Sequence, residues 1–343
     1  MSRTAVLICP GRGTYNRAEL GYLARHHADK AALLASFDSI RARAGQEAVT
    51  ALDAAPRFDG RKHTRGDVAS ALICACSLAD ALSLAGDIEV VAVTGNSMGW
   101  YSALAAGRAL TPADGFALAN TMGTLMQERG TGGQLIYPFM DEDWRDDPAR
   151  RAELLALVKD IATRPGHALA LSIDLGGMLV LAGNEAGLSA FEAAVPPVAG
   201  RFPMRLPGHA AFHTALMAPV AEEGRRRLPP EMFGQPLVPL IDGRGAIWWP
   251  HATDERALWD YTLGHQVTEP YDFTLAVQVA AREFAPDLFI LTGPGDTLGG
   301  AVAQALIRAH WRGLTNKEGF RRMQMRAPIL AAMGREDQRA LVT

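Results

Sequence analysis

A chain of 343 residues is long enough for one large domain that carries a smaller inserted or appended one. Its net charge of −3 at pH 7 excludes the basic balance typical of nucleic-acid binders, so we expect no nucleic acid as a partner. No apolar run reaches the about 18 residues of a membrane span, so we expect no membrane either. Cys9, Cys74 and Cys76 lie in apolar runs, and the N-terminal apolar run is too short for a signal peptide. These features predict buried thiols and a cytoplasmic protein.

The first quarter of the chain alternates apolar and helical patterns. We predict a strand over 4–9, a helix over 19–44, a polar loop over 47–64 and an apolar helix over 64–84. Thr64 followed by Asp67 resembles a capping box at the start of the last helix.

Residues 89–126 are the stretch around which the chain is organised. A β-branched run leads into Gly95-Asn96-Ser97-Met98-Gly99, and an Ala/Leu-rich helical pattern follows. A serine between two glycines at a strand-to-helix turn is typical of a nucleophile elbow, which exposes the hydroxyl beside the first helical N–H groups. A serine that only caps the helix is the alternative. The strand before Ser97 and the helix after it favour a nucleophile.

Residues 134–206 carry the strand and helix order of a ferredoxin-like unit. Strands are predicted at 134–140, 169–175, 178–183 and 201–206, and helices at 146–163 and 185–195. We predict a small subdomain over 131–205, inserted into a large subdomain made of 1–130 and 206–343. In the large part, strands at 236–242 and 287–293 alternate with helices at 214–227 and 259–264, and an amphipathic helix is predicted after Phe320.

A serine nucleophile needs a base within hydrogen-bond reach, and the chain has nine histidines. We expect His26, His27 and His63 to be solvated. His209 and His213 lie where an apolar strand turns into a helix. A metal site on these two is unfavoured, because no glutamate follows His209 and no third ligand is evident.

Four segments together resemble one known family. The elbow, FHTALMAP, HQVTEPYDF and LTGPGDTL follow one another in the order and spacing of the malonyl-CoA:acyl carrier protein transacylase family, which includes the acyltransferase domains of polyketide synthases. The resemblance covers nearly the whole chain. It implies an α/β fold, with an α/β-hydrolase-like core and an inserted ferredoxin-like small subdomain, and a site in the gorge between the two parts.

The resemblance also implies roles for particular residues. Ser97 matches the nucleophile and His213 the base, while Gln266 matches a glutamine whose backbone carbonyl orients the histidine. Arg12 stands in a Pro-Gly-Gln-Gly-like turn, so the backbone N–H groups of Arg12 and Met98 are expected to form the oxyanion hole. The implied chemistry is ping-pong acyl transfer through a seryl ester.

The chain departs from the family around the expected acyl pocket, which we predict to be formed by Met122, Asn96, Trp100 and Phe212. Met122 stands where the family has an arginine that pairs with a substrate carboxylate. A thioether cannot hold a carboxylate, so we expect an acyl group without one, or one bound by another cation such as Arg12. Arg108 and Arg129 are alternatives, although neither shares the face of Met122 on the predicted helix.

The expected function is acyl transfer from a coenzyme A or carrier-protein thioester to the phosphopantetheine thiol of a carrier protein, in polyketide or related biosynthesis. No bound cofactor or metal is expected. The alternatives are an acyl-carrier-protein thioesterase with the same dyad, a malonyl-CoA:acyl carrier protein transacylase, and a non-catalytic partner of carrier proteins. An acidic holo carrier protein would dock on basic residues, for which the candidates are Arg225, Arg226, Arg227, Arg308, Arg312, Lys317, Arg321 and Arg322.

Overall fold

A computed structural model describes residues 2–343. Its strands are β1 Arg3–Cys9, β2 Ile88–Gly95, β3 Gly133–Pro138, β4 Leu169–Leu175, β5 Met178–Gly183, β6 Met204–Arg205, β7 Leu240–Ile241, β8 Ile247–Trp248, β9 Tyr271–Asp272, β10 Leu288–Leu291 and β11 Leu330–Ala332. Its α-helices are α1 Tyr22–His26, α2 Ala31–Arg43, α3 Val49–Asp53, α4 Gly60–His63, α5 Gly66–Ala81, α6 Gly99–Ala106, α7 Pro112–Arg129, α8 Pro148–Ala162, α9 Glu185–Ala194, α10 Ala218–Arg227, α11 Glu255–Asp260, α12 Gln266–Thr268, α13 Phe273–Phe284, α14 Gly299–Arg308, α15 Lys317–Arg326 and α16 Glu336–Arg339.

The larger sheet has six strands in the order β11-β10-β1-β2-β7-β8. All neighbouring strands run parallel except β7 and β8, which are antiparallel. β1 and β10 are wholly apolar in their buried stretches, as expected for strands covered by helices on both faces. Because parallel strands end at one edge, the turns after β1 and β2 lie side by side, and ligands usually bind at such an edge.

The smaller sheet has five strands in the order β6-β3-β5-β4-β9. Its first four strands, with α8 and α9, follow the β-α-β-β-α-β order of a ferredoxin-like unit, and β9 from the later chain adds to β4 in parallel. The α/β fold, with an α/β-hydrolase-like core and a ferredoxin-like part, is therefore confirmed. The division at 131–205 stays a prediction.

Several local expectations are wrong. The supposed loop over 47–64 contains α3 and α4, and the helix expected over 19–44 is interrupted at His27. Thr64 does not cap α5: its hydroxyl donates to the carbonyl of Gly60, while Asp67 pairs with Arg65. Strands β8, β9 and β11 were not expected, because runs of two or three residues carry no periodicity.

The core between and around the sheets is apolar, and Cys9, Cys74 and Cys76 are buried in it as free thiols, as expected. Burial raises the pKa of Cys9 and of Cys74 to about 12, so these thiols stay protonated and unreactive at neutral pH. Within residues 2–343, no helix is both long enough and apolar enough to cross a membrane.

Candidate active site

Ser97 lies in a strained turn between β2 and α6. Its φ of 55° is in the left-handed region, which non-glycine residues rarely adopt. The flanking glycines leave room for this turn: a Cβ on Gly95 would lie 2.3 Å from the backbone of Gly99, and one on Gly99 would lie 2.1 Å from the carbonyl oxygen of Cys9. Side chains at either position would push the helix away from the strands, so the glycines hold the serine at the apex.

His213 is positioned to accept the proton of Ser97. Its Nε2 lies 2.7 Å from the Ser97 Oγ, and its Nδ1 lies 2.6 Å from the backbone carbonyl oxygen of Gln266. Because a carbonyl can only accept, Nδ1 carries the hydrogen, and Nε2 is left to accept from the serine hydroxyl. The pair can therefore act as a nucleophile and general base without an acidic third residue.

Burial keeps His213 neutral at physiological pH. The imidazole is 3% exposed, and this desolvation lowers the pKa of His213 to about 4. The hydrogen bond to the Gln266 carbonyl opposes the decrease, and nearby His265 adds to it. A neutral imidazole is the form that can take a proton from Ser97.

The side chain of Gln266 ties the two halves of this pair together, which the sequence did not reveal. Its Nε2 donates to the Ser97 carbonyl at 3.0 Å, and its Oε1 accepts from the Tyr101 hydroxyl at 3.1 Å. Tyr271, on β9, donates to the carbonyl of Gly95 at 2.5 Å, and its ring centroid lies 5.5 Å from that of His213. Both tyrosines stand within a few residues of the recognised motifs, which is the only sequence signal for them.

The backbone N–H groups of Arg12 and Met98 stay candidates for the oxyanion hole. Arg12 follows β1 and Met98 follows Ser97, and both line the same cavity as the serine. No hydrogen bond within residues 2–343 uses either N–H group. Both donors are therefore free for a ligand oxygen, which an oxyanion hole requires.

A cavity of about 460 Å³ opens beside Ser97 and His213. Its floor comes from the turns after β1 and β2, together with α5 and α7. Its opposite wall comes from the five-stranded sheet, which contributes Ile136, Ile173, Leu175, Met178 and Val180. A mostly apolar cavity of this size, with a few polar groups at one end, suits a small acyl chain.

Three of the four predicted pocket residues line this cavity. Met122, Asn96 and Phe212 are among its walls, and Met122 is fully buried. Trp100 differs from the expectation: it is fully buried away from the cavity and donates its indole N–H to the Thr262 hydroxyl at 3.0 Å. It faces inward because α6 turns that side toward the core, so Trp100 supports the elbow without contacting the cavity.

The other histidines also differ from expectation. His27 and His63 are buried, not solvated: His27 contacts Asp80 at 2.8 Å, and His63 lies 3.2 Å from the Leu52 carbonyl. His209 lines the cavity with its Nδ1 2.8 Å from Gln134 Oε1, and burial lowers its pKa to about 3, with Arg12 adding to the decrease. Within residues 2–343, no cluster of three metal-ligating side chains occurs, so the unfavoured metal interpretation gains nothing.

Several basic residues considered for carrier-protein docking are already paired. Arg226 and Arg227 bind Glu223, and Arg225 contacts Asp260. Arg308, which is partly exposed, is held by Asp174 at 2.8 Å and lies 3.5 Å from Asp146. These side chains are less available to an acidic partner than the sequence suggests.

Fold and site together define a class of protein: an α/β-hydrolase-like core with a ferredoxin-like unit, in which a serine at a sharp turn meets a histidine. No protein-family model matches the chain. The malonyl CoA-acyl carrier protein transacylase of Bacillus subtilis is 30% identical over 214 residues, which are 61% of this chain and 62% of that protein. The Salmonella typhimurium protein of the same name is 27% identical over 212 residues, 61% of this chain and 63% of the relative. The chain thus spans less than two thirds of the length of these relatives.

Solved structures show the same fold over the whole chain. An acyl carrier protein S-malonyltransferase from Vibrio cholerae superposes with a TM-score of 0.74 at 20% identity, covering 99% of both chains. A malonyl-transacylase in complex with a type II polyketide synthase acyl carrier protein superposes with a TM-score of 0.71 at 21% identity, covering 89% of this chain and 93% of that one.

A polyketide synthase is also among the relatives in sequence. Polyketide synthase GfsA of Streptomyces halstedii is 28% identical over 67% of this chain, a stretch that is 3% of that protein. The chain is therefore similar to malonyl-CoA:acyl carrier protein transacylases in sequence over about three fifths of its length and in fold over nearly all of it.

Proposed function

We propose that the protein transfers an acyl group from a thioester to the phosphopantetheine thiol of an acyl carrier protein through a Ser97 acyl-enzyme. The observation that carries this proposal is the 2.7 Å contact between Ser97 Oγ and His213 Nε2, with the other ring nitrogen held 2.6 Å from the Gln266 carbonyl. That arrangement gives a weak hydroxyl nucleophile the base that it needs.

The two half-reactions use the same groups. Ser97 Oγ attacks the thioester carbonyl carbon while its proton passes to His213 Nε2, and the N–H groups of Arg12 and Met98 hold the oxygen that becomes negative. The C–S bond then breaks, and the leaving thiolate takes the proton from His213. In the second half, His213 takes the proton of the acceptor thiol while the sulfur attacks the carbonyl carbon of the seryl ester. The C–O bond to Ser97 then breaks, and Ser97 Oγ takes the proton back from His213.

The nature of the acceptor rests on the relatives. The curated relatives are named as acyl carrier protein transacylases, and a structural neighbour is bound to a type II polyketide synthase carrier protein. Both support a holo carrier protein as the acceptor, and the second supports a polyketide context. Coenzyme A and phosphopantetheine share the same thiol arm, so either can serve as donor.

The acyl group has two candidates. Met122 at the family's arginine position supports a chain without a carboxylate, whereas the names of the relatives favour malonyl. We place malonyl first, because the cavity contains another cation, Arg12. Hydrolysis in place of transfer is the editing-thioesterase alternative, and it differs only in whether water or a thiol meets the seryl ester.

Intact-mass spectrometry tests the proposal directly. The protein is mixed separately with malonyl-, acetyl- and octanoyl-coenzyme A and then chased with a holo acyl carrier protein. We expect a mass increase that depends on Ser97 and passes to the carrier. An adduct lost to water with the carrier left bare would establish the thioesterase, and no adduct with any thioester would favour a non-catalytic carrier-binding partner.

A further inference from the structure

Arg12 is a cation in the cavity wall that forms no ion pair within residues 2–343. Its Nη2 donates to two backbone carbonyl oxygens, that of Thr64 at 2.7 Å and that of Gly208 at 3.1 Å. Its Nε is buried without a hydrogen-bond partner, and the guanidinium carbon lies 5.5 Å from the centroid of the Phe212 ring. The guanidinium is therefore held in place while part of its donor capacity is unused.

The cavity contains nothing that balances this charge. Its lining includes no aspartate or glutamate, and Arg12 is the sole lysine or arginine among the lining residues. Burial lowers the pKa of Arg12 to about 10, although the charge of Asp67, outside the cavity lining, opposes the decrease, and Arg12 stays charged at neutral pH. A partly desolvated charge without a carboxylate in direct contact is costly, and an anionic ligand would offset that cost.

Helix α7, where the resemblance expects the cation, contributes no lysine or arginine to the cavity lining. Met122 is fully buried against α10, close enough that a Cβ on Gly224 would lie 2.7 Å from its Sδ. Arg129 lies 4.0 Å from Glu223, and Arg108 is exposed; neither lines the cavity. The two nearby arginines on this side are thus outside the site.

We propose that Arg12, in the turn after β1, recognises a carboxylate at the far end of the acyl group, in place of a cation on α7. This inference rests on the proposed acyl transfer of a malonyl-type group and adds to it the residue that would select a short thioester with a terminal carboxylate. Arg12 would then serve twice, with its backbone N–H at the oxyanion and its side chain at the acid.

The geometry supports a prepared anion site. Two carbonyl acceptors occupy Nη2, so the guanidinium plane is fixed before substrate arrives, and little rotamer entropy remains to be lost on binding. The hydroxyl of Ser70 is also buried without a partner in the lining of the same cavity, as is Asn96 Oδ1. The seven unpartnered buried polar atoms of residues 2–343 thus include three in this one cavity.

The experiment compares rates of Ser97 acylation by malonyl- and acetyl-coenzyme A, followed by rapid-quench intact-mass spectrometry. Both donors share the thioester and the coenzyme and differ in the carboxylate, so the ratio of the two rates isolates its recognition. We expect malonyl to load faster in the unchanged protein. In Arg12→Gln the malonyl-to-acetyl ratio should fall about 30-fold, the size of a lost charge-assisted hydrogen bond.

Three further variants separate recognition from folding. Arg12→Lys keeps the charge but not the planar fork, and should give an intermediate ratio. Arg61→Gln, at an exposed arginine of α4 that does not line the cavity, should leave the ratio unchanged. Adding Met122→Arg to Arg12→Gln should restore part of the malonyl preference from α7, and circular dichroism checks that each variant is folded.

The outcomes distinguish the inference from the proposed function. Adducts that form on Ser97 with no malonyl preference, or with a preference that survives Arg12→Gln, would overturn the role of Arg12 while leaving acyl transfer intact. If no thioester acylates Ser97 at all, the proposed function fails and this inference fails with it.

Discussion

The two walls of the cavity are built on different sheets and by different means. On the six-stranded sheet, the turns after β1 and β2 place Arg12, Ser97 and Met98 at one edge, each held by backbone geometry. On the five-stranded sheet, the wall is mainly apolar, with side chains such as Ile173 and Val180, and its polar side chain, Gln134, is already hydrogen-bonded to His209 and Ser172. The six-stranded sheet therefore carries the candidate catalytic groups, whereas the five-stranded sheet mainly determines the shape of the cavity.

This difference governs how substitutions should act. On the polar wall, an atom such as Ser97 Oγ has a role that no neighbouring atom can take over. Its removal should therefore abolish acylation almost completely. On the apolar wall, many van der Waals contacts each contribute a little to binding of the acyl chain. A substitution there should therefore have a small effect, and it should alter selectivity among acyl groups more than the acylation rate. Substitutions on each wall, and at the contact between them, test the division.

The largest effect is expected from Ser97→Ala. If Ser97 is the nucleophile as proposed, removing its hydroxyl should lower acyl-enzyme formation by at least about 10⁴-fold, as measured by rapid-quench mass spectrometry. The matched control is Ser102→Ala on α6, whose hydroxyl is buried without a partner. That variant should load normally and be no less stable, because an unsatisfied buried hydroxyl is lost. A Ser97→Ala protein that still acylates would place the nucleophile elsewhere.

The next largest effect is expected from a substitution at the contact between the two walls. Asp174, at the end of β4, is 2% exposed and binds Arg151 at 2.7 Å and Arg308 of α14 at 2.8 Å, with Thr274 of α13 donating to the same carboxylate at 2.5 Å. Asp174→Asn would remove the counter-charge of Arg151 and leave Arg308 with Asp146 alone, at 3.5 Å, so the free energy of unfolding should fall by about 3 kcal/mol in urea denaturation.

Asp160→Asn is the control for that loss. Asp160 is an exposed carboxylate that pairs with Arg164 at 2.7 Å along one face of α8, and such surface pairs contribute about 0.5 kcal/mol or less. Equal losses in the two variants would mean that the Asp174 contacts do not hold the walls together.

Local patterns explain which parts of these walls could be predicted from the sequence. The elbow is a strand, a turn and a helix that follow one another without interruption over 88–106, so its residues carry the signal by themselves. β4 and β5 match their predicted limits because each is a long apolar strand. The Ser97–His213 contact joins residues 116 positions apart, and only the resemblance to a family suggested it.

The remainder depends on contacts between distant segments. His27 looked like a surface histidine on a polar helix, yet Asp80 of α5 and Arg339 of the C-terminal helix surround it. β9 has two residues and exists because β4 offers an edge to pair with. Trp100 stood beside the nucleophile in sequence, but the turn of α6 directs it into the core. Periodicity does not report such pairings.

The pH dependence of acylation should show how strongly His213 is desolvated in the polar wall. Burial lowers the pKa of His213 to about 4, so the neutral base persists well below neutral pH. The rate of Ser97 acylation should stay level down to about pH 5.5 and halve near pH 4. A histidine with the ordinary pKa of about 6.5 would be only about a tenth neutral at pH 5.5, a difference of about tenfold in rate. Stopped-flow pH jumps would measure it.

Stability must be followed in the same experiment. The folded pKa of His213 lies below its ordinary value of 6.5, so between about pH 6.5 and 4 the unfolded chain binds the extra proton. The free energy of unfolding therefore falls as the pH drops through this window, and the folded fraction is needed at each point. A rate that halves near pH 6.5 in fully folded protein would mean that the base is solvated.

The smallest effect is expected on the apolar wall. Ile173→Val removes one methylene from β4 and enlarges the cavity slightly, so the rate of butyryl loading relative to acetyl should rise about threefold. Ile161→Val on α8, fully buried but outside the cavity, is the matched control, since it should cost the same about 1 kcal/mol of stability. Only Ile173→Val should change the ratio of butyryl to acetyl loading, because Ile173 lines the cavity and Ile161 does not. If both variants changed the butyryl-to-acetyl ratio equally, selectivity would reflect the general stability of the five-stranded sheet. The two walls would then not have the separate roles inferred for them.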